Sequence, residues 1–241
     1  MNMEYISESK IGLRRLYNED TVGVTEVDNG VLMCVCDGIG GKKAGDVASS
    51  IAVDSIIYHF CNSKTEDYIQ RIHEAIIFAN SAILEKSQTV PECSGMATTA
   101  EVLFIKDNVA YWGHVGDSRI YYLCESEMYC ITKDHSFVQK LVDDGYITDA
   151  QAQKHPQRNI IMRAVGDDSI VEADLDKMFI DAGKRWKFFV CTDGVSSVLT
   201  NEEISDLLYN SDLKCASDKI IKAVEDKGAP DNFSYVIICG S

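Results

Sequence analysis

Short apolar runs alternate with amphipathic stretches along the chain. Residues 31–36, 101–105, 109–115, 120–123, 187–191 and 233–239 are rich in Val, Ile, Phe and Tyr and are bounded by Gly, Asp or Asn. That pattern predicts buried strands. Residues 21–27 alternate less cleanly but fit another strand. In Ala44, Val47, Ala48, Ile51, Ala52 and Ile56 the apolar positions recur every three or four residues, as they do in Tyr68, Ile69, Ile72, Ala75, Ile76, Ala79 and Ile83. Both stretches predict helices with one buried face. Thr200 followed by Glu203 forms a capping box ahead of Ile204, Leu207 and Leu208. A last helix is predicted over residues 217–227, stopped by Gly228. The order is two strands, two long helices, about four strands, a helical insert near 136–165, more strands, two helices and a final strand. Strands joined in blocks point to antiparallel sheets rather than repeated βαβ units. Two such sheets covered by helices would hide every apolar face.

Length and composition narrow the class. The 241 residues, with 46% hydrophobic and 25% charged, suit one soluble globular domain. Only three prolines occur, at Pro91, Pro156 and Pro230, and no linker or repeat interrupts the chain. No stretch approaches the roughly 18 apolar residues of a membrane span. The first ten residues carry no basic segment and no apolar segment, so a secretory signal is not expected. Nine cysteines, an odd number with no C-x-x-C pair, suit a reducing cytoplasm better than disulfides or zinc. A net charge of −15 disfavours nucleic acid and anionic membranes as partners.

The charge gains meaning from where the acids lie. Asp37 directly follows the run 31–36, and Asp193 follows the run ending at Cys191 and Thr192. Asp117 follows the run 109–115 and Gly116. Asp231 precedes the run 233–239, and Asp20 precedes Thr21. Each alone reads as a turn residue, since Asp-Gly is a common turn dipeptide. Five such acids at the ends of buried strands suggest carboxylates gathered at one edge of a sandwich. Divalent cations would offset their repulsion, and all-oxygen donors suit Mg²⁺ or Mn²⁺. Gly38 lets its carbonyl approach a cation closely. The glycine-rich segment 37–45 is not a nucleotide loop, because no Ser or Thr follows a Gly-Lys; it reads as a hinge at a metal site. Arg14 and Arg15 precede Asn18, Glu19 and Asp20, and either guanidinium can fork onto phosphate oxygens.

These residues resemble the PPM family of metal-dependent protein phosphatases, the type 2C group, in its bacterial form. The resemblance runs in family order through GLRRLYNED (12–20), CDGIGG (36–41) with AGDVAS (44–49), SGMATT (94–99), GHVGDSR (113–119), DHS (134–136), HPQRNIIMRAVG (155–166), CTDG (191–194) and PDN (230–232). It implies an α+β fold, a four-layer α-β-β-α sandwich of two antiparallel sheets flanked by helices. The whole of residues 1–241 would be one catalytic domain, with a mobile flap at about 136–165. It implies hydrolysis of phosphoserine and phosphothreonine on proteins by a hydroxide bridging two metals, without a covalent phosphoenzyme. Two or three Mn²⁺ or Mg²⁺ ions would serve as cofactors. Asp37 would bridge two of them, the Gly38 carbonyl would bind one, and Asp193 and Asp231 would complete the first metal's shell. Glu19 and Asp20 would act through water, Asp117 would build a third site, and Asp46 and Asn232 would support the set. Arg15, five residues before Asp20, matches the phosphate-binding arginine. The expected enzyme is a cytoplasmic monomer working opposite a serine/threonine kinase, with no nucleic-acid or membrane partner. Asp46 stands where glutamate is more usual, and Ile39 where some members carry a histidine proposed as general acid. His135 and His155 are therefore candidates for protonating the leaving group, though a structural role is commoner for such histidines. Two other classes compete. One is a silent phosphoprotein-binding module, which should have lost a metal aspartate. The other is a phosphodiesterase or nuclease, which should carry a basic face.

Overall fold

Alternation with a period of two becomes two-faced strands. A computed structural model describes residues 3–39, 44–181, 183–209 and 211–240. One sheet contains β1 (Met3–Lys10), β7 (Arg119–Cys124), β8 (Glu127–Cys130), β10 (Trp186–Cys191) and β11 (Phe233–Gly240), in the order β1-β11-β10-β7-β8. The second contains β2 (Asp20–Val27), β3 (Gly30–Ile39), β5 (Ala100–Lys106), β6 (Val109–Val115) and β9 (Asp174–Phe179), in the order β2-β3-β5-β6-β9; the short β4 (Ala97–Thr98) pairs with the end of β3. All of these pairings are antiparallel.

Successive side chains face opposite ways, so each central strand serves two cores. Met33, Val35, Leu103 and Trp112 of one sheet meet Tyr122, Phe188, Val190 and Ile238 of the other. The other faces of β3 and β5, through Leu32, Cys34, Val102 and Phe104, pack on Ala48, Ala52 and Ile56 of α1 (Gly45–Asn62) and on Ile72 and Ile76 of α2 (Tyr68–Thr89). Phe189, Tyr235 and Ile237 pack on Ile204 and Leu208 of α6 (Asn201–Leu208) and on Ile220 and Val224 of α7 (Leu213–Asp226). The result is the expected α-β-β-α sandwich. Thr200 and Glu203 form the predicted capping box. Among the described residues no helix is long and apolar enough to cross a membrane.

The structure departs from the pattern-based expectations at identifiable places. Three strands precede α1 rather than two, because β1 was not legible. Strands β8 and β9 were also missed. All three lie at sheet edges, where a strand buries little and carries polar residues. Helix α7 begins four residues earlier than expected, at Leu213, because the Asp212 side chain caps it by accepting from the Cys215 amide at 2.7 Å. Neither Asp-Gly pair is a turn. Asp37 and Gly38 lie within β3, and Asp193 and Gly194 open the short helix α5 (Asp193–Ser196). Of the glycine-rich hinge, Gly40, Gly41, Lys42 and Lys43 lie outside the described residues. The insert holds α3 (Phe137–Asp143) and α4 (Asp149–Ala152) and leaves the body at an isolated bridge between Ser136 and Ile161.

Phe188 is fully buried between the sheets. Phe188→Ala is expected to lower the unfolding free energy by about 3–5 kcal/mol. Urea titration of the metal-free protein measures this as a lower midpoint at unchanged slope.

Candidate metal centre

Register brings the acids to one end of the sandwich. Asp20 pairs directly with Asp37 across β2 and β3. Ala100 at the start of β5 pairs with Val115 at the end of β6, two residues before Asp117. In the other sheet Cys191, two residues before Asp193, pairs with both Arg119 and Tyr235. Strand ends 37, 115, 191 and strand starts 20, 100, 119, 233 therefore share an edge. Two connections cross between the sheets at this edge. Residues 11–19 join β1 to β2 and carry Arg15 and Glu19, and residues 116–118 join β6 to β7 and carry Asp117.

Backbone packing holds the acids closely. The Gly38 amide donates to the Glu19 carbonyl at 3.1 Å. A Cβ at Gly38 would overlap the Gly45 and Glu19 carbonyls, and one at Gly194 would overlap the Asn232 carbonyl. Gly38 is thus required by the contact of three backbones, a reason the sequence could not disclose. Hydroxyls complete the frame. Thr99 Oγ1 accepts from the Asp37 amide at 2.9 Å, and Thr98 Oγ1 donates to the Asp37 carbonyl at 2.8 Å. Thr192 Oγ1 donates to Asp20 Oδ2 at 2.9 Å, and Ser49 Oγ donates to the Glu19 carbonyl at 2.6 Å. Asn232 Oδ1 accepts from the Glu19 amide at 2.9 Å. Thr192 and Ser49 were not identified from the sequence; the usable signal was a hydroxyl residue beside or facing each acid.

Arg15, not Arg14, reaches the acids. Its Nη2 donates to Asp231 Oδ2 at 2.6 Å, and its Nη1 lies 3.9 Å from Glu19 Oε2. Asp46 is exposed in the first turn of α1, and its charge helps raise the Glu19 pKa after burial, the larger cause. The two candidate histidines have their own partners. His135 Nδ1 accepts from the Gly116 amide at 3.1 Å, and its Nε2 lies 3.2 Å from Asp174 Oδ2. Burial, then the neighbouring His114, lowers its pKa to about 4, so it is neutral at pH 7. His155 Nδ1 accepts from the Gln157 amide within the insert. His135 thus touches the 116–118 connection, and His155 lies within the insert.

Electrostatics mark the edge as a cation site. Burial, followed by the charges of Asp20, Asp193, Asp117 and Asp231, holds Asp37 well above the usual carboxylate range. Burial and then Asp231 raise Asp193, which a hydrogen bond from Asp37 partly relieves. Burial pushes Asp20 up to about 7 and Asp117 up to about 8, each with Asp193 as a repelling neighbour. Asp20 Oδ1 and Asp117 Oδ1 are buried without a hydrogen-bond partner, which is costly unless something positive is supplied. Among the described residues no three His, Cys, Asp or Glu side chains are set to grip an ion by themselves. Mg²⁺ and Mn²⁺ take oxygen donors and keep several bound waters, and the donors at this edge are carboxylates and the Gly38 carbonyl. The donor set fits such ions.

An unfolded aspartate titrates near pH ~3.9. The metal-free fold therefore holds extra protons from about pH 4 to about pH 8, and its stability falls as pH rises through that window. The urea midpoint of chelated protein is expected to drop between about pH 5 and about pH 8, and added Mn²⁺ is expected to restore it most at the upper end. A midpoint that rises with pH, or ignores the metal, removes the electrostatic reading.

Known proteins share this fold. The protein phosphatase 2C family profile matches residues 14–231. The serine/threonine protein phosphatase PstP of Mycobacterium tuberculosis is 34% identical over 235 residues, covering 98% of this chain but 44% of that protein. This chain thus spans less than half of that relative's length. The crystal structure of serine/threonine phosphatase Stp1 from Staphylococcus aureus superposes with a TM-score of 0.94 at 29% identity, covering 100% of this chain and 96% of that one. A PstP catalytic domain in complex with two manganese ions gives a TM-score of 0.88 at 31% identity, with 99% of each chain covered. By its match over residues 14–231, this chain belongs to the protein phosphatase 2C family.

Proposed function

We propose that this chain is a metal-dependent protein phosphatase that hydrolyses phosphoserine and phosphothreonine on other proteins. The observation that carries the reading is the meeting of Asp20, Asp37, Asp117, Asp193 and Asp231 beside Arg15, with carboxylate oxygens left unpartnered. Asp37, the Gly38 carbonyl, Asp193 and Asp231 would hold two Mn²⁺ or Mg²⁺ ions. Asp117 would contribute to a third ion, and Glu19 and Asp20 would act through water. When bound, such ions supply charge that stabilises a transferring phosphoryl group and lower the pKa of water towards neutrality.

The chain's own side chains do the rest. Arg15 lies half-exposed and paired with Asp231, and its remaining N–H groups would fork onto a substrate phosphate. Thr98 and Thr99 hold the Asp37 backbone in place, and Asn232 ties Glu19 to the start of β11. Cys191 is buried in the core, and burial pushes its thiol well above the usual range. It is a packing residue, and the reaction needs no covalent phosphoenzyme. The insert at 136–165 is read as the flap of a single catalytic domain. All nine cysteines are free, in keeping with a reducing cytoplasm. A monomer opposed by a serine/threonine kinase completes the reading.

With Mn²⁺ or Mg²⁺, the enzyme is expected to turn over an aryl phosphate and a phosphothreonine peptide, and chelator is expected to stop both. Bis-aryl phosphate should remain a poor substrate; preference for it would favour a phosphodiesterase. Asp37→Asn and Asp193→Asn are each expected to cut aryl phosphate kcat by about 10²–10³-fold or more. Unchanged rates would refute the assigned roles. Arg15→Ala is expected to raise KM by about 10- to 100-fold with a smaller change in kcat, since it removes a charge-assisted hydrogen bond to phosphate. An unaltered KM would assign phosphate binding to another group.

A further inference from the structure

The connection from β1 to β2 carries four large apolar side chains within seven residues, and all of them face solvent. Ile11 is 45% exposed, Leu13 63%, Tyr17 67% and Leu16 85%. A lone exposed leucine is ordinary. Several on one short loop are not, because contiguous apolar surface marks a place where something binds.

The loop is held firmly. Asn232 Nδ2 donates to both the Ile11 and the Tyr17 carbonyls at 2.8 Å, so a single amide clasps its two ends. The Leu13 amide donates to the Ala229 carbonyl at 2.9 Å. Gly12 adopts φ +77°, and a Cβ there would strike the Asp231 carbonyl. Loops of this kind, compact with closed ends, usually fold their own side chains inward. This one turns them outward instead. Its backbone is ordered before anything binds, so little further entropy is lost on association.

Position gives the exposed side chains an occupant. Arg15 lies between Leu13 and Leu16 and reaches Asp231 at 2.6 Å. Whatever presents a phosphate to Arg15 therefore brings its neighbouring residues over this loop. Glu19 and Asp231 beside it, and a net charge of −15 overall, repel acidic neighbours. Over the exposed Leu13, Leu16 and Tyr17, apolar neighbours are the complementary class. We propose that Leu13, Leu16 and Tyr17 form a docking face that selects phosphoprotein segments whose phosphorylated residue is flanked by large apolar side chains. This rests on the phosphatase reading above and adds to it the sequence context of the substrate.

The test compares two phosphothreonine peptides, one with Leu and Val on either side of the phosphorylated residue and one with Gly and Ser there. An aryl phosphate, which has no flanking residues, serves as reference. Wild-type enzyme and the double variant Leu13→Ser/Leu16→Ser are assayed with Mn²⁺. Partial burial of one leucine is worth about ten-fold in affinity, so wild type is expected to favour the apolar peptide about ten-fold in kcat/KM, through KM. The double variant is expected to lose that preference while keeping wild-type aryl phosphate turnover. Equal use of the two peptides by wild type overturns the proposal, as does a preference that survives in the variant. A variant that loses aryl phosphate turnover in equal measure also overturns it, because the leucines would then serve the site's structure. If wild type hydrolyses neither peptides nor aryl phosphate, the phosphatase reading itself fails, and this one with it.

Discussion

Repulsion among buried carboxylates is the constraint on which this structure turns. Asp37 sits opposite Asp20 on a neighbouring strand and within range of Asp117, Asp193 and Asp231. Like charges directly opposite in a sheet are unfavourable, and burial magnifies the effect. Without cations the protein answers by holding protons, as the raised Asp20 and Asp117 pKa values describe. The fold therefore carries a built-in deficit of positive charge at one edge, and that deficit suits the edge to divalent ions.

The rest of the architecture serves to keep that deficit from relaxing. Acids on loose loops would swing apart into water. Here they are fixed by groups that cannot move: Gly38 against Gly45 and Glu19, Gly194 against Asn232, and the paired threonines around Asp37. The two sheet-to-sheet connections matter most, because they lay Arg15, Glu19 and Asp117 across the gap between sheets. Asn232 performs two tasks at once, receiving the Glu19 amide and clasping the Ile11–Tyr17 loop. The rigidity of the acids and the display of the apolar loop share one anchor.

Much of the fold was legible in the chain because central strands and long helices bury whole faces. The run ending at Cys36 and the repeat from Tyr68 to Ile83 carry that burial as an uninterrupted pattern. Edge strands β1, β8 and β9 do not. In β1 only Met3 and Ile6 join a core, and the remaining positions read as polar loop. The start of α7 was missed for a related reason: its first turn is held by the Asp212 cap rather than by an apolar face.

The candidate site divides in the same way. Sequence alone placed acids at the ends of buried runs. Hydrophobic period reports which residues are hidden, and strand ends follow from where the period stops. Which remote ends meet depends on register and on crossings between sheets, and neither leaves a local signature. Only the tertiary structure decided that Arg15 rather than Arg14 faces the acids, that His135 accepts from the Gly116 amide, and that Leu16 stands in solvent beside Arg15. Arg15 is fixed by a contact 216 positions away, His135 by one 19 positions away and Leu16 by the lack of one, and no pattern along a single segment can encode them.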